Sequence, residues 1–432
     1  MLPRRYTRIS RLPRTLLFDL LPVLLLFYSL VEVLSVRRAL QAVDQTAEHE
    51  AETYEKGEKI FISSIHLHDE QLLRAHWNDA LLSLAEALGP SNVYVSIYES
   101  NSRDDTKGAL RDLDAELEHA GVRTTVVLDP STREQELEGD KHAEGWITTP
   151  AGEKEKRRIP YLARLRNRTL KPLEELESKG ERFDRVLFLN DVVFNARDIL
   201  ALLRTNAGHY AAACALDFRH APAFYDTFAT RDLDGHAPLS TRFPYFRAAS
   251  SRHALTHRGH DHSTHSSSSD AEGTGVLADG AVPVASCWNG ALAMDAAPFY
   301  TKLRRLAFRA LPDGLAAAHL EASECCLVHA DNPYSPGRGV FVNPGVRVGY
   351  TAEAYAAVNP GDGRLWLSAW DIFYGMWENR ALRLMAWGLD REEVVVGTRV
   401  GLWEKDFRRT EPGAFCAVDE MQVLRNDGWA HV

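Results

Sequence analysis

Asp191 stands where chemistry is most expected. Four apolar residues, Val186 to Leu189, run straight into Asn190-Asp191, and helix-type sequence resumes at Ala196 to Leu203 with Asn195 as its N-cap. A buried strand followed by a helix puts the acid at the C-terminal edge of an α/β sheet, where such sheets bind ligands. A carboxylate there can hold a divalent cation; the plain alternative is an Asn-Asp turn. Asp217, Asp226 and Asp232 are interleaved with Phe218, Phe224, Tyr225 and Phe228. That mixture suits a sugar, with carboxylates on hydroxyls and rings on the pyranose face, a structural role being the alternative for any one acid. Glu324 precedes Cys325 to His329, which reads as a short strand ending in His329 and Asp331. His329 is a candidate to complete the metal site with Asp191, because carboxylate, imidazole and phosphate oxygens suit manganese or magnesium. A structural histidine is the alternative. Trp288 and Asn289 add an aromatic and an amide beside Gly290. Glu99, Ser100 and Asp104 follow another strand, where a carboxylate can accept from a ribose or a base edge, or the same residues can simply cap the next helix.

Strands and helices in alternation must position these groups. Lys59 to Ile65, Val93 to Tyr98, Val122 to Leu128 and Tyr210 to Ala215 read as strands, as do Val340 to Val342. Between the first two, Asp69 opens a helix with Leu73, Trp77, Leu81, Leu84 and Leu88 on one face, stopped by Gly89-Pro90. Asp105 to Ala120 forms the next helix, with Leu110, Leu113 and Leu117 inward. The pattern predicts a parallel α/β sheet flanked by helices. Pro130 to Arg158 reads as an exposed, irregular insertion. Residues 248–280, rich in serine and histidine and poor in apolar residues, read as a disordered loop, with a metal-binding tract as the sharper alternative. Six of the nine tryptophans fall in residues 362–432, expected to form a packed C-terminal subdomain after a catalytic domain of residues 59–361.

A net charge of −10 argues against a nucleic-acid partner. The five cysteines are too few for a disulfide scaffold, and the odd number leaves at least one unpaired within the chain. Arg4, Arg5, Arg8, Arg11 and Arg14 precede an apolar run over residues 15–36, and only Arg37 and Arg38 follow it. The run is long enough to span a bilayer, and the arginine bias keeps residues 1–14 cytosolic. A type II signal anchor is the expectation, with a cleaved signal peptide its rival. Residues 37–58, polar and acidic, read as a stem. Asn167-Arg168-Thr169 is an N-glycosylation sequon and agrees with a luminal domain.

Taken together, Ser96 to Ser100, Phe188 to Val192, Phe224 to Asp226 with Arg231-Asp232, Cys287 to Gly290, and Ser323 to Asp331 resemble the fungal cryptococcal α-1,3-mannosyltransferase family, which includes the capsule-associated proteins and is glycosyltransferase family 69. The resemblance covers about residues 59–355. It implies a GT-A-like, nucleotide-sugar-binding sheet and a single-pass Golgi membrane enzyme with a luminal catalytic domain. The implied donor is GDP-mannose, used with a divalent metal, and the implied acceptor is a mannose-containing glycan of capsule, cell wall or glycolipid. Donor and product linkages in the family are both α, so the reaction would retain configuration. On this reading Asp191 and His329 hold the metal. Glu99, Ser100, Asp104, Asn190, Trp288 and Asn289 line the donor, and Asp217, Asp226, Asp232 and Glu324 orient the sugars. Leu189-Asn190-Asp191 keeps only the last acid of the usual Asp-x-Asp, and the 248–280 insertion departs from a compact core. A non-catalytic glycan-binding or capsule-assembly protein, a transferase using another nucleotide sugar, and a metal-dependent phosphohydrolase are the rivals.

Overall fold

The computed structural model describes residues 14–149, 151–257, 280–302, 304–385 and 391–432, with side chains from residue 20 onward. Most of the 248–280 insertion lies outside the described residues. The strands expected from apolar patterning are β1 (Ile60–His66), β2 (Val93–Ser100), β3 (Arg123–Asp129), β4 (Arg185–Leu189) and β5 (Ala212–His220). The short β6 (Ala223–Phe224) and β7 (Arg231–Asp232) follow, then β8 (Val282–Ser286), β9 (Ala291–Asp295) and β10 (Val340–Gly349). They form one ten-stranded sheet in the order β3-β2-β1-β4-β9-β5-β10-β8-β7, with β6 paired to β5. The sheet is mixed, not parallel throughout: β9 runs antiparallel to both β4 and β5, and β8 antiparallel to β10. Residues of one strand alternate between the two faces, as the pleat requires. Phe61, Val186 and Phe188 belong to the core on one face, and Ile60, Ile62, Leu187 and Leu189 to the core on the other.

Helices cover both faces. α1 (Arg14–Glu52) is a single long helix. A helical stretch with a π turn at Leu73–Trp77 leads into α2 (Asn78–Leu88), and the predicted Leu73, Trp77, Leu81, Leu84 and Leu88 are all buried. α3 (Thr106–His119), α4 (Arg158–Thr169) and α5 (Ala196–Leu203) follow. Asn195 caps α5 as expected: its side chain accepts from the Asp198 N–H while Asp198 accepts from the Asn195 N–H. Then come α6 (Ala249–Thr256), α7 (Glu324–Asp331), α8 (Ala369–Met385) and α9 (Arg391–Phe407).

Further expectations need correction. Residues 249–256, inside the stretch read as a disordered loop, form α6 with Ser251, Ala254, Leu255 and Thr256 buried. The expected irregular insertion holds a capped helical turn at Arg133–Leu137 and a hairpin pairing Trp146–Thr148 with Lys154–Lys156. Residues 324–331 are helix, not strand; Ser323 caps them through the Cys325 N–H, and burial of nearly every side chain erases the periodicity that would reveal a helix. Residues 37–58 are no free stem. α1 continues through them as far as Glu52, with Leu40 and Ala51 buried against the domain and Asp44 paired to Arg347 at 2.7 Å. Residues 362–432 are no separate subdomain, since Leu367, Ile372 and Met376 enter the main core and Cys416 is disulfide-bonded to Cys326. A second disulfide, Cys214–Cys287, ties β5 to the turn before β9, leaving Cys325 as the unpaired cysteine.

Candidate active site

β1, β2, β3 and β4 run parallel, so their C-terminal ends share one edge. β5 and β10 are parallel to each other. β9 starts at that edge, Ala291 facing Leu189, so the turn before it lies beside Asn190-Asp191. That turn needs a glycine. Gly290 sits at φ +78°, and a Cβ there would lie 2.7 Å from Val348 Cγ2 and 3.1 Å from Val192 Cγ1. Asn190 is held on three sides. Its N–H donates to the Gly290 carbonyl at 2.9 Å, its carbonyl accepts from the Trp77 indole at 3.0 Å, and its side-chain oxygen accepts from the Trp288 indole at 2.9 Å. The amide therefore does what a carboxylate could do only by adding a second charge beside Asp191. The Arg166 guanidinium stacks 4.2 Å from the Trp288 ring centre and donates to Glu324 Oε1 at 3.0 Å.

Asp191 is ringed by protein although part of its own surface stays open. Burial, then the like charge of Asp69, push its carboxyl up to about 7, against the opposing pull of His66 and Arg166. His66 closes β1. Ser64 Oγ donates its one proton to the Leu189 carbonyl, so His66 Nε2, 2.9 Å away, must donate to that oxygen. Nδ1 faces Asp69 Oδ2 at 3.0 Å.

A second acid pair lies on the other side of the Gly290 turn. Asp217 is fully buried and accepts from the Asp226 N–H at 3.1 Å, the Tyr350 hydroxyl at 3.1 Å and, weakly, Asn289 Nδ2 at 3.4 Å. Burial and neighbouring Asp226 raise it to about 7. Asp226, raised chiefly by burial, accepts from the Phe228 and Ala229 N–H groups through one oxygen. Glu324 adds to that rise and so lies within electrostatic range of Asp226. Arg158 lies two turns before Arg166 on α4. It feels Glu324, Arg166 and Tyr225, and burial lowers its proton affinity. It has no carboxylate partner among the described residues; its hydrogen bond goes to Gln422.

The structure thus brings Asp191, Asp217, Asp226, Glu324, Asn190, Trp288 and Asn289 into one region. Trp288 and Asn289 are enclosed and serve as supports. Other expected residues are occupied elsewhere. Asp232 spends both oxygens on four N–H groups, those of Asp234, His236, Arg247 and Ala248. Asp104 accepts from Thr106 and from the Glu70 N–H, and Ser100 pairs with the Tyr161 hydroxyl. Glu99 is fully buried, bonded to the Ser102 N–H and 3.5 Å from Lys107. His329 donates from Nε2 to the Cys287 carbonyl at 2.6 Å, packed against the Cys214–Cys287 disulfide, and burial lowers its pKa to about 4. It is a neutral core histidine. The Asn167 amide bonds the Phe308 backbone in both directions and Thr169 is buried, so the folded sequon is a structural clasp. His66, Arg158, Arg166 and Tyr350 escaped the sequence reading, and Asp69 was read only as a helix cap, a bond its side chain does not make; only the two arginines carried a signal, being eight apart on one helix.

A family model described as cryptococcal mannosyltransferase 1 matches residues 59–331. The chain belongs to this family. Its chemistry is glycosyl transfer. No curated protein matches the sequence. The likenesses among solved structures are distant. The mannosyltransferase PcManGT from Pyrobaculum calidifontis, in complex with GDP-Man and Mn2+, is 13% identical at TM-score 0.34, covering 89% of this chain and 96% of that one. S. aureus TarS 1-349 is 11% identical at TM-score 0.32, covering 66% of this chain and 57% of that one.

Proposed function

We propose that this family member is a retaining α-1,3-mannosyltransferase that moves mannose from GDP-mannose to a mannose-containing glycan, on a GT-A-like sheet anchored by α1 with the domain luminal in the Golgi. The observation that carries the reading is Asp191: a strand-end carboxylate, partly open, raised to about 7 by burial and by the neighbouring Asp69 carboxylate. Two oxygen-donor acids repelling each other are what a hard divalent cation relieves, so the residues fit manganese or magnesium. Asp191, with Asp69 beside it, would hold that ion. When bound, such an ion neutralises the departing diphosphate. Arg158 and Arg166 face the same region and supply further positive charge for phosphate oxygens. The free oxygen of Asp226 would accept from a sugar hydroxyl, and Glu324, buried and held by Arg166, would support it from behind. Asp217, locked by Tyr350 and Asn289, positions Asp226. The two disulfides support the luminal side, because such bonds persist in oxidising compartments.

The test is a donor screen on the purified chain with manganese and a mannoside acceptor. GDP-mannose should be the donor consumed, with mannose joined through an α-1,3 bond. Donor binding without turnover, or phosphate release in place of GDP, would overturn the reading.

A further inference from the structure

α1 does not clear the membrane before it meets the domain. A hydrocarbon layer of about 30 Å takes about 20 helical residues, which from residue 15 reaches Leu34. Contacts with α8 begin earlier: the Trp377 indole donates to Ser29 Oγ at 3.0 Å, and Arg380 bonds both the Tyr28 hydroxyl and Glu32. From Tyr28 to Leu34 the overlap is about 9 Å. Whatever part of the domain stands beside those residues must enter the bilayer interface. α8 is built for that. Trp370, Tyr374, Trp377, Ala381 and Leu384 follow one another at helical spacing on one face, while Ile372, Met376 and Asn379 are buried on the opposite one. Trp377 of this stripe is half-buried against α1, and the rest is bare: Trp370 is 67% exposed, Leu384 82% and the adjoining Met385 58%. Such a face with tryptophan and tyrosine belongs at the interface.

Behind α8, against α6 and Glu32, lies a cavity of about 920 Å³ lined by Arg252, Arg380, Arg383, His253 and His257. Its carboxylates among the described residues are Glu32, already paired with Arg380, and Asp234. Among the described residues Arg252 and Arg383 have no ion pair; they bond the Arg247 carbonyl and the Asn379 side chain. Burial and then mutual repulsion between these cations weaken their hold on protons, as befits unneutralised charge. The cavity adjoins Phe341 near the start of β10, whereas Tyr350 of the candidate site follows that strand's other end.

We propose that α8 lies in the membrane interface beside α1 and that the cavity behind it binds the phosphate headgroup of an anionic phospholipid. The inference rests on reading α1 as a bilayer span and is independent of the donor sugar. The full chain is reconstituted in bilayer discs of phosphatidylcholine, with or without phosphatidylinositol, and both melting temperature and phospholipid retained through a detergent wash are measured. The wild-type chain should melt higher and retain phosphatidylinositol. R252Q/R383Q should retain it about 30-fold less tightly, from roughly fivefold per basic residue near a membrane surface, with donor turnover unchanged. Equal behaviour in the two discs overturns the proposal whether or not the variant folds. So does an equal rise with inorganic phosphate in phosphatidylcholine discs. Alkaline extraction of the source membranes reads the anchor separately. Release of the chain would sink the anchor and the proposal together, whereas retention without lipid preference sinks the cavity alone.

Discussion

The proton on Asp191 makes metal binding pH-dependent in a way that can be worked out beforehand. With its carboxyl near 7, a cation must displace a proton below that pH. The ionised fraction falls about tenfold between about pH 8 and about pH 6, so apparent manganese affinity should fall about tenfold, or about 1.4 kcal/mol. At fixed manganese well above the dissociation constant at both pH values that is a difference of about 1–2 °C in the manganese-induced rise in Tm for a chain of this length. The metal-free protein should trend the other way. Asp191 and Asp217 are both raised to about 7, so between the ordinary aspartate range and about 7 the folded chain holds more protons than the unfolded one. These groups therefore make metal-free stability fall as pH rises through that window. Asp191→Asn removes the charge and keeps the shape. It should abolish the manganese-induced rise at both pH values and lower turnover about a hundredfold or more, at roughly 1.4 kcal/mol per decade. Differential scanning fluorimetry across pH, with and without manganese, reads the first effect, and GDP release reads the second. An Asp191→Asn protein with a normal manganese rise, or a wild-type rise that ignores pH, would refute the reasoning.

Gly290→Ala should cost about 2 kcal/mol or more in urea unfolding and depress turnover, because the residue must take φ +78° and a methyl would meet Val348. Arg166→Met should destabilise by about 3 kcal/mol by stranding buried Glu324; adding Glu324→Gln should recover much of the stability but not the activity. Cys326→Ser with Cys416→Ser opens a 90-residue separation and should cost roughly 4 kcal/mol in chemical denaturation. In sealed microsomes the domain from about residue 40 onward should resist added protease until detergent is present; digestion before detergent would place it on the cytosolic side.

Local rules explain what could be read from the chain alone. The β4–Asn195–α5 passage was legible because an apolar run, a capping residue and an amphipathic helix each follow neighbour-scale physics. The place of Asp191 just past the strand end was legible for the same reason. Cys325 to His329 was not, since five consecutive buried residues have no period to measure. Asp232 and Asp104 look like Asp191 in one dimension. Whether an acid is free depends on which N–H groups fold onto it, and for Asp232 the donors come from residues 234 to 248. Asp69 matters only because β1 and β4 are neighbours, a pairing across more than a hundred residues that no local pattern announces. Residues 37–58 carry the charges of a solvated spacer, yet Asp44 and Glu50 are there to meet Arg347 and Arg204.

The unbroken α1 has a mechanical consequence. From Val33 to Ala51 it is docked on the domain, a seam of about 27 Å, so the domain cannot pivot about its anchor. A bilayer-spanning helix adjusts to the thickness of the bilayer by tilting. With α1 spanning a bilayer as proposed above, that tilt would be handed to the whole domain as a rigid lever. In a thinner membrane the strand edge bearing Asp191 would lean to one angle, and in a thicker one to another. On that reading lipid composition would set the angle at which an acceptor meets the proposed site, making bilayer thickness a geometric parameter of the reaction.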